Sequence, residues 1–144
     1  MNLGLLGAGL VMGIAAIGSG LGIGYAGQAT IGAWKKCYIA NKPAQMLLLA
    51  FAGAPLTQTF YGFILMGQII QAAGAEPDKG WLYVGYGLAS GFAMAFSAIA
   101  QGKVGAAAAD AQAETGKGFA QYIAIVGLAE TVALFAMVLT MISL

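Results

Sequence analysis

The sequence predicts an all-α membrane protein in which four transmembrane helices form two tandem helical hairpins. Three observations indicate this fold: 60% of the 144 residues are hydrophobic, only 8% are charged, and the charges are grouped between long apolar runs. Each run is longer than the roughly 18–20 residues that a helix needs to cross a bilayer. A soluble domain carries about 25% charged residues, so this surface cannot face water everywhere.

The four predicted helices follow these apolar runs in order. Pro43 lies where a first helical turn tolerates proline, so it is expected to open the second helix. The segment Gly74–Gly80 is rich in Gly, Pro and Asp, which predicts a turn between the hairpins. The predicted helices cover Met1–Trp34, about Ala44–Ala73, Trp81 to the region of Ala109, and Phe119–Ser143.

The two hairpins, residues 1–75 and 76–144, are related by an internal duplication. A single offset of 74 residues aligns all four helices at once, which is the pattern expected of a repeat. On this register Leu56 takes the position equivalent to Glu130, so only the second hairpin keeps a carboxylate. The offset pairs Gly13 with Gly87, Ala50 with Ala124, and Thr57 with Thr131.

The composition excludes several classes of function. With no histidine and one cysteine, Cys37, a single chain cannot build a Ser-His-Asp triad or a disulfide framework. A net charge of +1 provides no basic stripe for nucleic acid. Residues 22–27 match the G-x-G-x-x-G nucleotide fingerprint, but they lie inside an apolar helix instead of between a strand and a helix. We therefore expect no organic cofactor and no nucleic-acid partner.

Glu130 is the centre of the predicted functional site. It lies near the middle of the fourth helix, where an acidic residue costs roughly 2.5–3.5 kcal/mol, so a functional role is the default interpretation. Thr57 and Gln58 fall near the middle of the second helix, and Gln101 lies on the third. Pro55 interrupts the helical hydrogen bonding at the same level and frees backbone carbonyls.

Together these groups form an all-oxygen set suited to a hard cation. The competing interpretation is structural: a protonated Glu130 and the two glutamines would then only hydrogen-bond neighbouring helices.

Small residues on the first and third helices predict close helix packing. Glycines spaced by four residues allow membrane helices to approach closely, and such slim helices suit the crowded inner wall of a ring of hairpins. The first helix carries Gly9/Gly13, Gly18/Gly22 and Gly20/Gly24, and the third carries Gly87, Gly91, Ala95 and Ala98.

Three motifs make the chain similar to a known family. They are Ala54–Gln58 followed by Tyr61 and Gly62, Ala100–Val104, and Gly127–Thr131. In these motifs, and over essentially all four helices, the chain resembles the proteolipid, or subunit K, of V-type rotary ATPases, the duplicated subunit of the membrane rotor.

The resemblance implies a homo-oligomeric ring, with the first and third helices inside and the second and fourth outside. It implies a transported ion, Na⁺, with H⁺ as the alternative, and it favours Na⁺ because the glutamine set is complete. Leu56 departs from sodium-type relatives, which can have glycine there. The implied Na⁺ ligands are the backbone carbonyl of Ala54 and the side chains of Thr57, Gln58, Gln101 and Glu130, with Tyr61 hydrogen-bonded to the carboxylate.

The same resemblance implies a protein that is not an enzyme by itself. ATP hydrolysis or synthesis would occur in a separate catalytic head. A stator protein would supply an arginine, and a central stalk would rest on the loops around Lys35–Lys42 and Gln112–Lys117. The lysine-rich hairpin loops predict a multi-pass protein of the cell membrane, with these loops in the cytoplasm and the termini outside.

Two functions of other classes remain open from the residues. A small multidrug-type antiporter also has four helices and one membrane glutamate, but that glutamate lies in the first helix and the protein has no duplication. A passive pore or structural membrane protein would use Glu130 only to hold helices together.

Overall fold

A computed structural model describes residues 2–144, so Met1, the expected start of the first helix, lies outside the described part. These residues form four long helices and no strand. All four helices are long and apolar enough to cross a membrane, which confirms the predicted fold class. The helices span Leu3–Ile39, Met46–Ala75, Gly80–Thr115 and Phe119–Ser143.

The turn between the first and second helices differs from the prediction. The first helix continues beyond Trp34 to Ile39, and Asn41 turns the chain with a positive φ of 53°, a conformation that asparagine tolerates. Pro43 lies in an irregular segment, and the second helix begins three residues later, at Met46, with a 3₁₀ turn. The prediction that Pro43 opens this helix was therefore wrong.

The third helix also runs farther than predicted, to Thr115 instead of the region of Ala109. Its last turns are tied to the first helix, because the Lys36 ammonium lies 2.7 Å from Asp110 and 3.0 Å from Glu114. All three side chains are more than half exposed, so the network adds little to stability. These ion pairs nevertheless show that the last turns of the first and third helices lie side by side.

Two glycines make the tight connection to the fourth helix. Gly116 ends the third helix with φ at 66°, and Gly118 precedes Phe119 with φ at 92°, a region that favours glycine. The fourth helix has the predicted bounds. Between the hairpins, the predicted turn is shortened, because helix continues to Ala75 and a 3₁₀ turn covers Pro77–Lys79.

The first and third helices form the centre of the bundle, and the second and fourth helices pack on this pair. Their backbones approach closely at glycines: a Cβ added to Gly87 or Gly102 would clash with the carbonyl oxygen of Gly7 or Gly22. Any larger residue at these points would separate the helices. This arrangement agrees with the predicted close packing of the two slim helices.

Only some of the predicted glycines take part in this contact. Gly18 and Gly22 pack on the third helix, whereas five others lie on the opposite face of the first helix. A Cβ added to any of these five would meet nothing within 4 Å. We call them the open glycine stripe: Gly9, Gly13, Gly20, Gly24 and Gly27.

The pattern of buried residues repeats between the two hairpins at a spacing of 75 residues. This spacing is one residue more than the offset of 74 inferred from the sequence. At this spacing Glu130 corresponds to the buried Pro55, whereas Leu56 is 44% exposed. On either spacing the first hairpin has no carboxylate at this depth. The paired buried positions include Ala8/Tyr83, Ala15/Ser90, Ser19/Met94, Ala26/Gln101, Ala33/Ala108, Cys37/Gln112 and Phe51/Val126.

Candidate intramembrane ion site

The second helix changes its hydrogen-bonding pattern at Pro55. A 3₁₀ turn covers Ala54–Leu56 between two α-helical segments, because proline has no N–H to continue the α-helical ladder. The Thr57 hydroxyl lies 3.0 Å from the Ala54 carbonyl oxygen and 3.2 Å from Oε1 of Gln58. The break in the helix thus gathers a carbonyl, a hydroxyl and an amide oxygen at one point.

Glu130 faces this break from the fourth helix. Its Oε1 accepts a hydrogen bond from the Tyr61 hydroxyl, and its Oε2 accepts one from Nε2 of Gln101 at 3.2 Å. The same Gln101 nitrogen lies 3.1 Å from the Val126 carbonyl oxygen, one turn earlier in the fourth helix. Two donors from two different helices therefore fix the carboxylate.

A pair of glutamines joins the two groups of oxygens. Gln58 donates through Nε2 to Oε1 of Gln101 at 2.9 Å, and both side chains are fully buried. Buried polar groups are stable only when they are hydrogen-bonded, and this pair meets that condition. The structure thereby brings all six residues singled out in the sequence into one continuous network, formed by the second, third and fourth helices.

Ser97 belongs to the same network but was not predicted. Its hydroxyl donates to the Ala129 carbonyl oxygen at 2.7 Å and lies 3.4 Å from Nε2 of Gln58. It comes four residues before Gln101 on the third helix, so both side chains lie on one helix face. That spacing was the available signal, but serine is too common in membrane helices for the spacing alone to single it out.

No basic side chain pairs with Glu130 within residues 2–144. Lys103 lies two residues beyond Gln101, but its ammonium is directed over the ring of Tyr25, 5.6 Å from the ring centroid. An ionised carboxylate at this depth is costly without a counter-charge. The arrangement is therefore suited to holding a cation or a proton on Glu130, with neutral oxygens beside it.

Comparison with known proteins gives the family of the chain. The ATP synthase C-subunit family matches residues 6–67 and again residues 84–143. The chain is also 33% identical over 143 residues to the A-type ATP synthase subunit K of Methanocaldococcus jannaschii, and the match covers 99% of this chain and 61% of the relative. The chain thus spans about three-fifths of the length of this relative.

The chain belongs to the ATP synthase C-subunit family, which confirms the resemblance seen in the sequence. The two matches fall one on each hairpin, in agreement with the internal duplication. It follows that the protein is a multi-pass membrane protein. The roles of individual residues in the site stay predictions.

Proposed function

We propose that the chain forms the rotor ring of a rotary, ATP-coupled ion pump or synthase, and that Glu130 carries Na⁺ across the membrane. The observation that supports this function is the polar network at Glu130. A lone carboxylate lies at the middle of an apolar helix, held by two donors and flanked by neutral oxygens, with no basic partner in the described residues.

Na⁺ is favoured over H⁺ by the groups around the carboxylate. The Ala54 carbonyl oxygen and the Gln58 amide oxygen already lie 3.0 and 3.2 Å from the Thr57 hydroxyl. A proton needs only the carboxylate, whereas a hard cation needs several oxygen ligands, which the Ala54 carbonyl and the two glutamine amides can supply. The proposed ligands are the Ala54 carbonyl oxygen, the Thr57 hydroxyl, the amide oxygens of Gln58 and Gln101, and Glu130.

The net charge of the site explains how a loaded copy of the chain would move past the lipid. Glu130 with a bound Na⁺ is neutral, so a loaded copy of the chain passes along the lipid at low cost. An empty site carries a charge and would be confined to a polar channel, where an arginine of a stator protein stabilises it. Tyr61 would close the loaded site through its hydrogen bond to Glu130.

The remaining partners follow from the same proposal. Several copies of the chain would form a ring in the cell membrane, and a separate head would hydrolyse or synthesise ATP. A central stalk would contact the loops around Lys35–Lys42 and Gln112–Lys117. Because these loops carry most of the lysines, we infer that they lie in the cytoplasm and that both termini lie outside.

The direct test is ATP-driven transport by the intact complex in inverted membrane vesicles. We expect ²²Na⁺ uptake on addition of ATP, which persists when a protonophore removes any proton gradient. The Glu130→Gln variant should abolish uptake while the assembled complex remains. Uptake of protons with no uptake of ²²Na⁺ would instead identify H⁺ as the coupling ion, and normal transport by Glu130→Gln would exclude Glu130 as the carrier.

A further inference from the structure

The first helix carries a buried hydroxyl, that of Ser19, which the network around Glu130 does not include. The Ser19 side chain is 2% exposed, and its Oγ makes no hydrogen bond to any of residues 2–144. Buried polar groups are hydrogen-bonded as a rule, so an unpaired hydroxyl in the membrane interior requires an explanation. The hydrogen bonds of the network, within the same residues, come from the second, third and fourth helices.

The packing of the first helix on the second shows which level of the second helix Ser19 reaches. A Cβ added to Gly62 would lie 2.8 Å from the Cβ of Ala15. A Cβ added to Gly22 would lie 2.7 Å from the Cβ of Pro55. These two close approaches fix the register of the two antiparallel helices on either side of Ser19.

Ser19 and Gln58 occupy the same level of this interface. Ser19 lies between the two contact positions of the first helix, four residues after one and three before the other, which keeps it on the same helix face. Gln58 lies in the same way on the second helix, four residues before Gly62 and three after Pro55. The Gln58 side chain is fully buried. The register therefore places the unpaired hydroxyl opposite a residue of the candidate ion site.

Gln58 has an oxygen that lacks a donor of its own. The Thr57 hydroxyl has one proton, but it lies within hydrogen-bond distance of two acceptors, the Ala54 carbonyl oxygen and Oε1 of Gln58. The Ser97 hydroxyl gives its proton to the Ala129 carbonyl oxygen, so it can only accept from Gln58. Among the described residues, the two acceptors beside Thr57 thus share a single proton.

We propose that Ser19 is a positioning residue of the ion site, whose hydroxyl donates to Oε1 of Gln58 when Na⁺ is bound. The inference rests on the proposed sodium function and adds a group from the first helix. An amide oxygen has two lone pairs, so one can accept from Ser19 while the other faces the cation. Thr57 is then free to give its proton to Ala54 and a lone pair to Na⁺.

The alternative partner of Ser19 is the Ala15 carbonyl oxygen, one turn earlier in the same helix. Serine in a helix can form such a bond, which would leave the ion site unaffected. Gln58 is favoured because its oxygen shares one proton with another acceptor, whereas the Ala15 carbonyl already accepts a backbone N–H within the helix.

The test is the Na⁺ concentration that gives half-maximal ATP hydrolysis by the intact complex, measured together with the maximal rate. Ser19→Ala should raise this concentration about fivefold, the effect of losing one ordinary hydrogen bond, and should retain the maximal rate at saturating Na⁺. Ser19→Thr and Ser19→Val have nearly the same shape and differ in the hydroxyl. The threonine variant should therefore need about fivefold less Na⁺ than the valine variant, which separates the hydroxyl from packing.

Thr30→Val is the matched control, because Thr30 is the same kind of residue at another level. Its side chain is 2% exposed, and its hydroxyl also makes no hydrogen bond to any of residues 2–144. It lies on the same face of the first helix, 11 residues or about 16 Å beyond Ser19. The second helix is apolar at that level, over Met46–Leu49, so the half-maximal Na⁺ concentration should stay unchanged.

A shift in Ser19→Ala and between the threonine and valine variants, without a shift in Thr30→Val, would support the proposal. Equal Na⁺ requirements at Ser19, an equal shift in the control, or a lower maximal rate with an unchanged Na⁺ requirement would overturn it. The wild-type complex separates the two proposals. Hydrolysis that depends on Na⁺ but ignores the Ser19 variants contradicts only the role of Ser19, and wild-type hydrolysis that ignores Na⁺ contradicts the sodium function as well.

Discussion

The two hairpins have the same framework and differ in chemistry at one level of the membrane. Their buried positions coincide at a spacing of 75 residues, including Phe51 with Val126 and Ala33 with Ala108. At the level of the site, the polar residues of the second hairpin correspond to small or apolar ones in the first. The pairs are Ser97 with Gly22, Gln101 with Ala26, and Glu130 with Pro55.

On the second and fourth helices the difference is reversed: at three positions the first hairpin is polar and the second hairpin is apolar. The second helix supplies polar residues to the network from the first hairpin, whereas the equivalent positions of the fourth helix are apolar. One duplicated framework thus holds one polar network, with its residues divided between the hairpins. The outer pairs are Thr57 with Val132, Gln58 with Ala133, and Tyr61 with Ala136.

The largest effect should come from removing the carboxylate of Glu130, because this group distinguishes the two hairpins most. Glu130→Gln leaves a neutral side chain of the same shape, so no charge remains to bind Na⁺. We expect complete loss of ATP-driven ²²Na⁺ uptake in vesicles, with an assembled complex of normal size.

The matched control for this change is Glu76→Gln, which removes a carboxylate from the exposed ion pair with Lys79 between the hairpins. It should transport at the normal rate, because a surface ion pair contributes little. Loss of the assembled complex in Glu130→Gln alone would indicate that the carboxylate is structural.

A smaller effect is expected when the third helix is made to resemble the first at the site. Gln101→Ala installs the residue found at the equivalent position 26 and leaves Glu130, Gln58 and the Val126 carbonyl each without one partner. Such unpaired buried groups cost about 1–3 kcal/mol, which corresponds to a loss of Na⁺ affinity between about fivefold and about 140-fold.

The measurement is the Na⁺ concentration that gives half-maximal ATP hydrolysis by the complex. Gln28→Ala is the control, since Gln28 is an exposed glutamine of the first helix outside the network. Equal values for the two variants would contradict a role for Gln101 at the site.

Tyr61→Phe should have a moderate effect. It removes one hydrogen bond to Glu130 and keeps the ring, so a loss of about 1 kcal/mol, or about fivefold in Na⁺ affinity, is expected. Tyr86→Phe removes a comparable hydroxyl, which donates to the Ser143 carbonyl oxygen far from the site. This control should leave the half-maximal Na⁺ concentration unchanged, and an equal shift in both variants would assign the effect to general helix packing.

The smallest effect should come from Leu56→Ala. The sequence offset makes Leu56 the counterpart of Glu130, but its side chain is 44% exposed and takes no part in the network. Exposed substitutions usually stay within about 0.5 kcal/mol, so Na⁺ affinity should change by no more than about twofold. A shift as large as that of Gln101→Ala would show that Leu56 shapes the site and that the spacing of 74 is the functional one.

The sequence was most informative where the signal is local or unique. The fourth helix lies between breaks that are visible in the sequence. A single glutamate in its apolar run was enough to indicate where the candidate site lies. The end of the first helix was not predictable from local signals, because its last turns lie beside residues of the third helix that are more than 70 positions away. The register of the duplication was one residue off, because small apolar residues match at several offsets and only burial distinguishes them.

The most direct test is the rate at which dicyclohexylcarbodiimide labels Glu130 in membranes, with and without Na⁺. The reagent attacks the protonated carboxyl, so a cation bound to Glu130 should protect it. We predict slower labelling in Na⁺ but not in an equal concentration of K⁺, and weaker protection in Gln101→Ala. Labelling that ignores Na⁺ and follows pH alone would contradict the sodium site and leave the glutamines as helix-packing residues.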